Sequence, residues 1–130
     1  RTSPHPNLIT FDCPDSNVTC VKRTRSNTPL AALATLNNEV FTEAAKALAK
    51  RLLAEKPTDA ERITHGFKIC VAREPSENER AALSNLLKQS RAYYAAHATE
   101  AKTLNGDAEA SAWAATGRVL LNLDEFITRE

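Results

Sequence analysis

Residues 58–96 read TDAERITHGFKICVAREPSENERAALSNLLKQSRAYYAA, and two capping motifs in this stretch decide the fold class. Thr58 precedes Glu61 by three residues, and Ser76 precedes Glu79 by the same distance, which is the capping-box spacing of a first helical turn. Pro75 separates the two segments, so the stretch predicts two consecutive helices. Apolar residues follow each box at helical spacing: Ile63, Phe67, Cys70 and Val71, and then Leu83, Leu86, Leu87 and Tyr94.

Helix signals continue on the N-terminal side of this stretch. Thr28-Pro29 is a helix start, because threonine accepts a bond from a free backbone amide and proline loses none at the first position. A short helix from there is predicted to end at Asn37-Asn38, and a second helix spans residues 39–55. The predicted inward stripes are Leu30, Leu33 and Leu36 in the first helix and Phe41, Ala45, Leu48 and Leu52 in the second.

On the C-terminal side, the Asn105-Gly106-Asp107 turn begins a fifth helix with Asp107 as its cap. Gly117 lies inside this helix at a cost of about 1 kcal/mol relative to alanine, which predicts the close approach of a neighbouring helix. The apolar face of the fifth helix consists of Trp113, Val119, Leu120 and Leu123, continued by Phe126 and Ile127. One contact cluster is predicted to contain Ile63, Phe67, Leu86, Trp113 and Leu120.

Composition divides the chain at residue 28. Residues 1–28 hold no alanine, one leucine, three prolines and eleven serine, threonine or asparagine residues, whereas the remainder holds 22 alanines and thirteen leucines. The first group of residue types favours turns and extended backbone, and the second favours helices. We therefore predict an all-α bundle of about five helices over residues 29–130, preceded by an extended, irregular N-terminal arm over residues 1–28.

Length and charge exclude several classes of protein. The chain has 130 residues, room for one domain, and its net charge of +1 argues against a nucleic-acid binder. No apolar run approaches the roughly 18 residues of a membrane span. The chain begins at Arg1 and contains no methionine, so we expect it to be part of a longer polypeptide.

The arm contains a candidate anion site. Lys22, Arg23 and Arg25 lie just before Thr28, where the start of the first helix offers unpaired N–H groups and a partial positive charge. The alternative interpretation is that these cations pair with carboxylates of the helical body.

Two cysteines bracket the segment CPDSNVTC. Cys13 and Cys20 could form a disulfide worth roughly 2.5 kcal/mol on the chain-entropy model, remain reduced thiols, or bind a metal. Their spacing does not match the CxxC pattern of zinc ribbons, and the CxxCH motif of covalent haem is absent from the sequence. Cys70 lies on the apolar stripe of its helix and is predicted to be a buried packing residue.

The arm also brings together His5, Asp12 and Asp15, whose side chains could bind a metal or transfer protons. The two aspartates flank Cys13-Pro14 as turn residues do, and backbone hydrogen bonding in a turn explains them without catalysis.

Three phrases carry a family resemblance: residues 1–45, from RTSPHPNLITF to FTEAA, then FKICVAREPSENE and RVLLNLDEFITRE. In these the chain resembles the C-terminal domain of unknown function of large planctomycete-type exported proteins. Those proteins join a cytochrome c-like haem module to two domains of unknown function.

The resemblance implies an exported setting, in the periplasm or cell envelope, which favours a bridge between Cys13 and Cys20. It also implies that the arm packs on an upstream domain of the same polypeptide. We expect a non-catalytic helical packing module of a cytochrome-linked multidomain protein, with no cofactor in this chain and haem c on another domain. Two alternatives stay open: a module that binds sulfated or carboxylated polysaccharide through the basic arm, and part of an enzyme site that the upstream domain completes, with His5, Asp12 and Asp15 contributing.

Overall fold

The computed structural model describes residues 9–14, 19–22 and 28–128, and within these ranges the protein is helical with no β-strand. The all-α class is confirmed for this part of the chain. Ile9 and Thr10 are helical, whereas the sequence predicted extended backbone for this piece of the arm. Seven helices lie wholly within the described ranges: α1 Pro29–Asn37, α2 Glu39–Glu55, α3 Asp59–Val71, α4 Glu77–Ala96, α5 Ala98–Asn105, α6 Ala108–Leu120 and α7 Asp124–Ile127.

Side-chain caps fix where the main helices begin, as the sequence predicted. The Thr28 hydroxyl accepts from the Ala31 amide at 3.1 Å, and the Asp107 carboxylate accepts from the Ala110 amide at 2.8 Å. Both capping boxes form. The Thr58 and Ser76 hydroxyls accept from the backbone amides of Glu61 and Glu79, and the side chains of these glutamates accept from the backbone amides of the two caps. Each cap satisfies amides that the helix itself leaves unpaired, so local sequence determines these boundaries.

Two interruptions raise the helix number from about five to seven. His97 has φ −119° and ψ 61°, so it leaves helical geometry, and its amide donates to the Tyr93 carbonyl to close α4 before α5 begins. After α6 the amide of Asn122 donates to the Val119 carbonyl, a tighter turn that separates the short α7 from α6. Neither break contains a proline or glycine, so no strong breaker in the sequence marked them.

The core surrounds α6, which packs against α2, α4 and α5. Trp113 of α6 is fully buried, and its indole N–H donates to the Glu109 carboxylate at 3.0 Å, which satisfies its one polar group. None of the described helices has both the length and the apolar composition of a membrane span. The buried apolar cluster consists of Ala45, Leu48, Ala49, Leu52, Ile63, Phe67, Cys70, Leu83, Leu87, Ala112, Trp113, Ala114, Leu120 and Leu121.

The predicted contact cluster is wrong at Leu86, which is half-buried and lies outside the core. Helix α4 directs Leu83 and Leu87, one turn apart, into the core, and Leu86 lies on the flank of that stripe. The prediction is confirmed for the other four residues, Ile63, Phe67, Trp113 and Leu120.

Helices α2 and α6 approach each other closely at Gly117, as its position inside a helix predicted. A Cβ on Gly117 would lie 3.1 Å from the carbonyl oxygen of Ala45 and 3.6 Å from its Cβ. Backbone of α2 occupies the place of a side chain here, so the glycine lets the central helix pack against its main neighbour.

Candidate interaction surface

The basic arm is described only in part, and the candidate anion site stays a prediction. Arg23 and Arg25 lie outside the described residues, whereas Lys22 and Thr28 are both exposed. The Thr28 hydroxyl is already used as the cap of α1, since it accepts from the Ala31 amide. This bond fills one of the amide positions that the sequence had offered to an anion.

The two arm cysteines are free and exposed thiols in the structure, and the segment 15–18 between them lies outside the described residues. The Cys20 thiol donates to the Lys22 carbonyl at 3.3 Å. Their pairing in an oxidising compartment stays a prediction. Cys70 is buried, as predicted, and burial raises the pKa of its thiol to about 11, so at neutral pH it is a packing residue and not a nucleophile.

Of the three acid–base candidates of the arm, Asp12 alone lies among the described residues. His5 and Asp15 lie outside the described residues, and Asp12 lies in a turn with φ 53°, its amide donating to the Ile9 carbonyl at 3.1 Å. This placement of Asp12 agrees with its interpretation as a turn residue. Across the described ranges no three histidine, cysteine, aspartate or glutamate side chains come together as a metal site would require.

Exposed apolar side chains are concentrated before residue 41. Among the described residues, seven large apolar side chains are exposed, and five of these belong to residues 9–40. The other two, Ile69 and Tyr93, are widely separated along the sequence of the body. We group these five by their position in the sequence under the name N-terminal apolar surface; they are Ile9, Val21, Leu30, Leu33 and Val40, with exposed fractions of 60%, 99%, 62%, 56% and 72%.

This surface corrects the inward stripe predicted for α1. Leu30 and Leu33 point to solvent and Leu36 is only half-buried, whereas Ala31 and Thr35 are the buried residues. The helix sequence PLAALATLN is apolar on nearly every side, so periodicity alone does not select the buried face. Small residues give the closer approach, and they lie against the body while Leu30 and Leu33 remain outside.

Polar contacts hold the inner side of α1 to the body. The Thr35 hydroxyl bonds to the Asn122 side chain, and the Arg118 guanidinium donates to the Leu36 carbonyl at the end of α1. The arm reaches the same region, because the ring of Phe11 lies 5.9 Å from the ring of Phe41 at the start of α2. Helix α1 therefore packs its inner side against the rest of the protein, and Leu30 and Leu33 face outward.

The body has a charged cluster that sequence inspection missed. The Arg91 guanidinium donates to Asp59 at 2.5 and 2.9 Å and to Glu109 at 2.7 and 2.5 Å, which joins α4 to α3 and α6. Hydrogen bonds from Arg91 lower the pKa of both carboxyls. Both acids are ionised at neutral pH and engaged by arginine, so the cluster is a structural tie and not a proton donor.

A second charged cluster has the same character. Arg73 donates to Glu79 at 2.7 and 2.9 Å and to Glu125 at 2.5 and 2.8 Å, and it lies over the Phe67 ring at 4.8 Å. The bonds from Arg73, with those from Ser76, lower the pKa of Glu79 to about 2. The partners in both clusters are up to 52 residues apart in sequence, so no local pattern identified them.

Comparison with known proteins identifies one family. The family described as "PSD1: Protein of unknown function (DUF1553)" matches residues 1–87, which include the arm, α1 to α3 and the first half of α4. No curated protein and no solved structure matches the chain.

Proposed function

Since the chain belongs to the PSD1 family of proteins of unknown function, whose description assigns no activity, we propose its role from its surface: it is a non-catalytic helical module that packs against another domain of its own polypeptide. The N-terminal apolar surface is the contact face. Leu30 and Leu33 of α1, both more than half exposed, are the observation that carries this proposal.

The exposed apolar side of α1 is the physical reason for this proposal. A helix that is apolar on all sides is normally buried on all sides, yet α1 buries only the side that carries Ala31 and Thr35. Leu30 and Leu33 are three residues apart and so are neighbours on the exposed side of α1. Grouped exposed apolar side chains mark sites of protein contact, whereas single ones are common on any surface. The five side chains belong to residues 9–40, the part of the described sequence nearest to an upstream domain.

The charged groups of the body favour a structural role. Its two arginine-centred clusters hold their carboxylates in ion pairs, which leaves these acids ionised and bonded at neutral pH. An exported setting and a haem-bearing upstream domain are part of the same proposal and rest on the sequence resemblance. A haem absorbance band in the whole purified polypeptide tests for the haem-bearing domain.

Paired serine substitutions test the contact face. In the 130-residue chain, Leu30→Ser with Leu33→Ser should change the free energy of unfolding by less than about 0.5 kcal/mol per site, because both side chains are exposed. In the whole polypeptide the same pair should cost several times more, since it would place hydroxyls in a buried apolar contact.

Ile69→Ser is the control, because Ile69 is an exposed apolar residue of the body. Its effect on the free energy of unfolding should be the same in the chain and in the whole polypeptide. Equal effects of the Leu30 and Leu33 pair in both contexts would refute the contact.

A further inference from the structure

A surface cleft of about 300 Å³ opens where the C-terminal end of α2 meets α3 and α4. None of its lining residues belongs to the N-terminal apolar surface or to either arginine-centred cluster. Cationic side chains dominate its lining, which includes Lys56, Glu61, Thr64, His65, Lys68 and Arg80.

Arg80 is the most informative residue of the cleft. Its Nη1 donates to the Thr64 hydroxyl at 3.0 Å, and its Nε is buried and has no hydrogen-bond partner among the described residues. A buried donor on a charged group without an acceptor is costly, and guanidinium donors match the oxygens of oxyanions. The covered Nε is out of reach of a ligand in the open cleft, so an anion there would bond to the terminal nitrogens of the Arg80 guanidinium.

The other cations of the cleft are only partly neutralised. Among the described residues neither Lys56 nor Arg80 forms an ion pair, and Lys68 pairs with Glu74 at 2.7 Å. The acid in the lining, Glu61, is already held by Thr58, whose amide and hydroxyl donate to the same carboxylate oxygen at 3.2 and 2.6 Å.

His65 is likewise engaged, because its Nε2 lies 2.6 Å from Oε2 of Glu55, and the other oxygen of this carboxylate accepts from Arg51. The lining has three permanent cations, Lys56, Lys68 and Arg80, against one carboxylate, and Glu74 outside the lining pairs with Lys68. One positive charge is left over, and an anion in the cleft would neutralise it.

We propose that this cleft binds a small tetrahedral oxyanion, a phosphate or sulfate group, through Arg80 and Lys56 with Thr64 as a polar neighbour. Such an anion offers several acceptor oxygens to donors that come from the end of α2, from α3 and from α4. A volume of about 300 Å³ is at the small end of ligand sites, which suits a free ion or a monosaccharide ester.

Chemical-shift titration of the ¹⁵N-labelled 130-residue chain, at neutral pH and constant ionic strength, tests the site. The probes are inorganic phosphate, inorganic sulfate, a hexose phosphate and a hexose sulfate. We expect saturable shifts at Thr64, His65 and the Arg80 Nε–H, with a dissociation constant on the order of 1 mM. The order of affinity among the four probes identifies the free ion or the ester as the source.

Variants with matched charge loss locate the binding. Arg80→Gln and Lys56→Gln should each weaken binding roughly tenfold, the size of one charge-assisted hydrogen bond. Lys88→Gln is the control, because Lys88 is an exposed lysine of α4 outside the lining. Lys56 is a half-buried surface side chain, so its variant keeps the test valid if Arg80→Gln does not fold.

Three outcomes overturn the assignment. They are shifts that rise linearly without saturating, equal weakening by Lys88→Gln, and saturable shifts confined to the arm around Lys22.

Discussion

Helices α6 and α1 are both rich in apolar residues, but the protein covers them to very different extents. In α6 seven of the thirteen residues are buried, including Trp113 and Leu120, because neighbouring helices cover it on several sides. In α1 only Ala31 and Thr35 of nine residues are buried. The large side chains of α6 complete a core, whereas those of α1 lie outside one.

The difference shows that residues 45–121 contain their own core and that residues 9–40 do not contribute large side chains to it. Every member of the buried cluster lies at or after Ala45. The first helix is attached by small residues and by polar bonds such as that from Arg118 to the Leu36 carbonyl. An apolar helix held in this way has its outer face available for another surface.

The largest contrast should appear when one large apolar residue is truncated in each region. Trp113→Ala should cost about 3–5 kcal/mol of unfolding free energy, because it removes a fully buried ring from the centre of the bundle. Leu33→Ala should cost less than about 0.5 kcal/mol in the same chain, since its side chain is more than half exposed. Chemical denaturation measures both, and similar costs would show that α1 belongs to the core.

Two glycines of the body test how tightly that region is packed. Gly117→Ala should destabilise by about 1–3 kcal/mol, because its methyl would meet the Ala45 carbonyl oxygen of a packed backbone at 3.1 Å. Gly66→Ala is the control, since its new methyl would meet only Leu52 and Leu120 side-chain atoms at 3.0 and 3.1 Å.

Those leucine side chains can shift, and alanine gains about 1 kcal/mol of helix propensity, so the cost at Gly66 should be the smaller of the two. A stabilising Gly117→Ala would show that α2 and α6 have room to separate.

Ion pairs should contribute less than packing, and their effect should depend on pH. Arg91→Met should cost about 1 kcal/mol at neutral pH, a small value because the side chains of Arg91, Asp59 and Glu109 are 35–44% exposed. Arg91 lowers the pKa of both carboxyls in the folded state, so its contribution is complete above their unfolded values near 4.

The same contribution is lost as the pH falls through the lowered folded values. Urea unfolding of wild type and Arg91→Met should therefore differ most near pH 7 and converge in acid. The exposed Lys88→Met variant should show no such convergence, and a pH-independent difference for Arg91→Met would assign its effect to packing.

Local chemistry made much of the fold predictable from sequence. The caps at Thr28, Thr58, Ser76 and Asp107 depend on residues three positions apart, so a short window of sequence predicts each helix start. Gly117 was predictable because a glycine within an alanine-rich helix needs a packing reason.

The errors arose where several tertiary arrangements satisfy one local pattern. Both faces of α1 are apolar, so only packing against Asn122 and Arg118 decides that Thr35 lies inside. The break at His97 involves no strong helix breaker. The cleft lined by Lys56, Thr64 and Arg80 brings together residues from three parts of the sequence, and no local pattern in any one part predicts it.

The central claim is that another domain of the same polypeptide covers the N-terminal apolar surface. Hydroxyl-radical footprinting with mass spectrometry measures this directly, by comparing side-chain labelling in the 130-residue chain and in the whole polypeptide. We predict that labelling of Leu30, Leu33 and Val40 falls several-fold in the whole polypeptide, while that of Ile69 and Tyr93, the exposed residues of the body, stays the same. Equal labelling of Leu30, Leu33 and Val40 in the two samples would contradict the claim.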